Sequence, residues 1–124
     1  MGMDMHLFRA KNKEQFNEEG FWDKCIDLRD TDKWEEDDFT SPAQLWYGRK
    51  FWALLEYVFP EYDNKMYGEF IEIDETTLEK MIEFACYHPD YFGEFNTVPE
   101  LCQALYSYDN ARKNGFSYFM ECDW

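Results

Sequence analysis

Hydrophobic and polar positions alternate at the two ends of the chain and recur at three- and four-residue steps between them. At the N-terminus Met3, Met5 and Leu7 fall on one side and Asp4, His6 and Phe8 on the other, the period of two that marks a strand. The C-terminus repeats the pattern, with Phe116, Tyr118, Met120, Cys122 and Trp124 alternating with Ser117, Phe119, Glu121 and Asp123. Both ends are therefore predicted to be strands, and pairing with each other would tie down both termini.

Helical spacing dominates the middle of the chain. After Gly20, residues Phe21, Trp22, Cys25, Ile26 and Leu28 predict a short amphipathic helix. Ser41-Pro42 reads as a helix start, because Ser accepts from an orphan amide and Pro is preset for the first helical position. A long helix is expected from there to Phe59, with one stripe of Leu45, Gly48, Trp52, Leu55 and Phe59, a second of Trp46, Leu54 and Tyr57, and Pro60 as its end. A short strand follows at Glu69-Phe70-Ile71-Glu72-Ile73.

Asp74 or Thr76 then caps a helix whose Leu78, Met81, Ile82 and Ala85 share a face and which stops before Pro89. Residues 87–95 read as an aromatic loop. Thr97 and Glu100 make a second Thr-x-x-Glu box ahead of Leu101, Ala104, Leu105 and Tyr108, and Asn114-Gly115 suits a left-handed C-terminal cap. Three short strands with three or four helices predict a single α+β domain over 1–124. The expected architecture is a small, about three-stranded antiparallel sheet covered on one face by helices.

The acidic run 30–38 breaks this periodicity. Six of its nine residues are Asp or Glu, so mutual repulsion predicts a solvated loop. The whole chain carries a formal net charge of −15 at pH 7, the wrong sign for a nucleic-acid or anionic-membrane binder, both of which draw on Lys and Arg. With 21% aromatic residues the charge does not signal disorder, because Phe, Tyr and Trp supply burial to offset chain entropy. No apolar run is long enough to span a bilayer, and Met1 to His6 lacks the features of a signal peptide. Cys25, Cys86, Cys102 and Cys122 are spread singly, so the expectation is four thiols, no zinc site and a cytosolic setting.

The opening Met1-Gly2-Met3-Asp4-Met5-His6-Leu7-Phe8 resembles the start of a set of small phage and bacterial proteins that begin Met-Gly-Leu-Asp-Met-Tyr-Leu. Further likeness lies in Trp46-Tyr47-Gly48-Arg49-Lys50-Phe51-Trp52 and in Asp74-Glu75-Thr76-Thr77-Leu78-Glu79-Lys80. The resemblance implies a mobile-element origin, hence the cytosol of a bacterial host, and brings no catalytic residues with it.

Candidate chemistry is sparse. The only two histidines, His6 and His88, lie in different elements, whereas a metal or acid/base site needs several converging groups. An EF-hand reading of 30–41 fails because Glu35 and Ser41 stand where Gly and a bidentate Glu are required. There is no glycine-rich phosphate cradle and no convincing nucleophile pair, so the expectation is a non-enzyme with no cofactor and no metal.

What remains is charge. Asp30, Asp32, Glu35, Glu36, Asp37 and Asp38, with Trp34 among them, are the candidate partner-binding residues: carboxylates to steer, an indole to anchor. The sequence thus predicts an inhibitor of a basic, nucleic-acid-handling host defence protein, such as a CRISPR effector or nuclease, acting partly by imitating nucleic-acid charge. The alternative is a generic or self-associating interaction module without mimicry, its carboxylates merely solvated.

Overall fold

The computed structural model describes residues 4–29, 31–49, 52–60, 68–88 and 97–123, with the backbone alone at 31, 32, 49, 52 and 123. Its strands are β1 (Asp4–Ala10), β2 (Ile26–Asp27), β3 (Ala43–Arg49), β4 (Ile71–Ile73) and β5 (Ser117–Asp123). Its α-helices are α1 (Phe21–Lys24), α2 (Trp52–Val58), α3 (Glu75–Tyr87), α4 (Thr97–Tyr106) and α5 (Tyr108–Lys113), and 3₁₀ turns cover Lys13–Asn17 and Thr31–Glu36. The strands form one sheet in the order β2-β3-β1-β5-β4.

The two terminal strands do pair, antiparallel along their length from Asp4 opposite Asp123 to Ala10 opposite Ser117. Among the described residues the sheet has five strands rather than about three. It is also mixed, because β2 runs parallel to β3 while β1, β3, β5 and β4 pair antiparallel.

Alternation in β1 and β5 separates two cores. Met5, Leu7, Tyr118, Met120 and Cys122 face the larger one, which Leu78, Met81, Ala85, Leu101 and Ala104 close from α3 and α4. Phe8, Ala10 and Phe119 point the other way, onto Phe16 of the first 3₁₀ turn and Phe21 of α1. Coverage of one face only is thus corrected, since part of the second face lies under an aromatic layer in which Phe16 and Phe70 stack at 3.8 Å between centroids.

The predicted helix 42–59 is the largest departure. Its first half is β3, and among the described residues only Trp52–Val58 is helical. Pro42 starts no helix; its carbonyl accepts from the Ile26 amide at 2.9 Å and opens the parallel ladder. The register of β3 against β1 shifts between Leu7 and Phe8, so Leu45 and Trp46 are both buried although adjacent. A bulge of this kind converts an alternating strand into a pattern that looks helical.

The helix predicted after Gly20 ends at Lys24, and Ile26 joins the sheet instead. Asp74 caps α3, its carboxylate accepting from the Thr77 amide at 3.0 Å. Tyr87 is the last residue of α3 and His88 its C-cap rather than part of a loop, and 89–95 of the predicted aromatic loop lie outside the described residues. Thr97 opens α4, its hydroxyl turned to the Trp46 indole, which donates to it at 3.3 Å. Gly115, at φ +84°, closes α5 as the sequence predicts.

Candidate functional site

The acidic run is not a solvated loop. It folds as the 3₁₀ turn Thr31–Glu36, and two of the predicted partner-binding residues are what hold it down. Trp34 is only 8% exposed and packs in the larger core, so it is no surface anchor. An indole is too large an apolar surface to leave in water beside a core that takes it. Its Nε1 has no hydrogen-bond partner among the described residues.

Asp37 is likewise removed from any partner. Its side chain is 1% exposed and forks onto Arg9, which is fully buried on β1, at 2.6 and 3.0 Å. Arg9 also donates from Nε and Nη2 to the Ser41 carbonyl at 3.2 and 2.7 Å. Its guanidinium lies 5.1 Å from the Phe39 ring centroid and 5.2 Å from that of Phe116. A buried charge needs this full complement, since desolvation otherwise outweighs the pair attraction.

The clamp leaves Glu35, Glu36 and Asp38 exposed on a fixed backbone. The Thr40 hydroxyl and amide donate to the Asp38 carboxylate at 2.5 and 3.2 Å and hold its carboxyl below the ordinary value. Asp30 and the side chain of Asp32 lie outside the described residues. Of the seven predicted site residues, the fold therefore withdraws two into its interior and presents three.

A straighter acidic array lies elsewhere. On α3, Glu75, Glu79 and Glu83 are all exposed and spaced four residues apart, which puts successive carboxylates on one stripe at steps of about 6 Å. Tyr87 continues the stripe after one more turn and is 75% exposed. From α2, the Tyr57 hydroxyl donates to Glu83 at 3.1 Å, and this bond raises the phenol above its ordinary value. The spacing was visible in the sequence, but the density of carboxylates in 30–38 masks it.

Among the described residues the other titratable groups do not converge into a catalytic set. On the second face Tyr47 donates to Asp4 at 3.0 Å, and Gln44 lies 3.0 Å from the His6 ring. At the β2 edge Arg29 forks onto Asp27 at 2.9 and 2.8 Å. Nearby Glu100 is pushed up to about 7 by burial, against the pull of Arg29 and with help from Asp27. Cys86 and Cys102 are exposed, Cys25 is half-buried and Cys122 is buried.

A cleft of about 580 Å³ is lined by Lys11, Lys13, Glu69, Phe70 and Phe119 among others, and Lys13 and Glu69 bridge at 3.4 Å beside it. It holds no nucleophile–base pair of the kind that chemistry requires. Among the described residues no three metal-ligating side chains converge, and no helix is long and apolar enough to cross a membrane. Compared with family models, curated proteins and solved structures, the chain matches none.

Proposed function

We propose that this is a non-catalytic protein that binds and blocks a basic, nucleic-acid-handling protein of a bacterial host. The observation that carries the reading is the exposed stripe Glu75, Glu79 and Glu83 on a thirteen-residue helix packed against the core. A stiff carboxylate row meets a basic groove without first ordering a loop. The clamped Glu35, Glu36 and Asp38 add a second acidic site on a fixed backbone. Glu75 also complements the positive end of the α3 dipole, whereas Glu79 and Glu83 add like-charge repulsion within the helix and are better explained by a partner. The resemblance to mobile-element proteins points to a host defence protein as the target.

The test is displacement of labelled duplex DNA from a panel of basic nucleases and CRISPR effectors. The triple variant E75Q/E79Q/E83Q is expected to weaken displacement about tenfold or more, and raising salt severalfold should do the same to the wild type. Displacement that ignores both changes defeats the reading.

A second reading has its own observation. Trp22, Tyr57, Tyr87 and Tyr106 are large apolar side chains left exposed, Trp22 beside Phe8 on the second face and Tyr57 and Tyr87 on α2 and α3, and exposed aromatics suit self-association. Gel filtration decides it, since a dimer that persists at high salt marks an apolar interface.

A further inference from the structure

Tyr57, Glu83 and Tyr87 stand apart from the other exposed side chains because a tyrosine hydroxyl reaches the carboxylate from α2 and a second exposed tyrosine stands four residues on along α3. Tyr57 reaches Glu83 from α2, with its ring 5.6 Å from Phe84, and Tyr87 lies one helical turn beyond Glu83 on α3. The rings are 44% and 75% exposed, so part of each stays open to a partner although Tyr57 leans on Phe84. Tyr57 occupies part of the capacity of Glu83, and a carboxylate accepts several hydrogen bonds.

The molecule shows twice what such a set holds. Arg9 lies between the Phe39 and Phe116 rings and forks onto Asp37. Arg29 lies 5.9 Å from the Tyr47 ring centroid and forks onto Asp27. In both, a planar guanidinium takes ring faces and a carboxylate together, which a lysine ammonium does less well. Tyr57, Glu83 and Tyr87 present the same chemistry outward, beside Glu79 and on a chain of net charge −15.

We propose that Tyr57, Glu83 and Tyr87 form a seat for one arginine side chain of the basic partner. The inference rests on the proposed function and names the group recognised. Tyrosine loses little conformational freedom on binding and is enriched at interface hot spots, so the seat supplies selectivity where the glutamate stripe supplies attraction.

The probes are hexa-arginine and hexa-lysine peptides, whose affinities for the full chain are measured by fluorescence anisotropy at one fixed ionic strength. Tyr87→Ala is expected to weaken hexa-arginine about fivefold and hexa-lysine by much less. Tyr106→Ala, a control at a side chain 86% exposed on α4, should leave both unchanged. Tyr57→Phe keeps the ring and should retain most of the arginine preference. The variant E75Q/E79Q should weaken both peptides alike. If E75Q/E79Q weakens binding while Tyr87→Ala does nothing, or does no more than Tyr106→Ala, the arginine seat is wrong and the acidic reading stands. If the wild type binds neither peptide, both fall.

Discussion

Arg9 and Asp37 decide how the acidic segment behaves. Because both are buried, removing one leaves the other charged without its partner, so Asp37→Asn is expected to cost about 3–5 kcal/mol in urea unfolding. Asp38→Asn, one residue on and exposed, should cost under about 0.5 kcal/mol. Near-equal losses for the two would mean that the clamp is not what holds the segment. None of this was legible from the run itself, where Asp37 and Asp38 are indistinguishable. The signal was in β1, where Arg9 falls on the same side as Met5 and Leu7, an apolar face that admits a cation only with a carboxylate beside it.

Glu100 gives the molecule a pH dependence of defined sign. Its carboxyl is raised from an ordinary value near 4.5 to about 7 in the fold, so between those values the folded state holds a proton that the unfolded state has released. Stability from this group is therefore full below about pH 4.5 and falls as pH rises through 7. Asp27, Asp38 and Asp74 are shifted the other way by hydrogen bonds from Arg29, Thr40 and Thr77, and their contribution is lost under acid. Thermal melts should peak in mildly acidic buffer and decline toward pH 8, and Glu100→Gln should flatten that decline. An unchanged slope in the variant would show that another group carries it.

At the scale of elements, what could be read from the sequence was what depends on neighbours in the chain. Strands β1 and β5 alternate over part of their length, Met5 and Leu7 against His6 and Met120 and Cys122 against Glu121, and α3 has Asp74, a polar first turn and a regular apolar face. What could not be read depends on distant partners. Ala43, Leu45, Trp46 and Gly48 are buried at uneven steps because the β1 register shifts opposite them, and that spacing mimics a helix. Ile26 and Asp27 are a strand only because the edge of β3 is there to pair with. Local determinants can be checked directly. Asp74→Ala should cost about 1 kcal/mol through loss of the cap.

Charge acts on the whole molecule with two opposite signs. On the folded chain, −15 is self-repulsion, and the stripe on α3 concentrates part of it, because Glu79 faces Glu75 and Glu83 at four-residue spacing. Each like-charge pair of that kind costs about 0.2–0.5 kcal/mol, so Glu79→Gln removes two and should stabilise the fold by about 0.4–1 kcal/mol. Added salt screens the same repulsion and should raise the melting temperature of the wild type, by less in the variant. Binding to a basic partner responds in the reverse direction, since salt screens the attraction and Glu79→Gln deletes part of it. Melting curves and displacement of DNA from the same nuclease, followed from about 20 mM to about 0.5 M salt, should therefore move oppositely. Carboxylates that serve only solvation would show the rise in melting temperature with no matching loss of displacement, and that result would separate a surface kept for solubility from one kept for a partner.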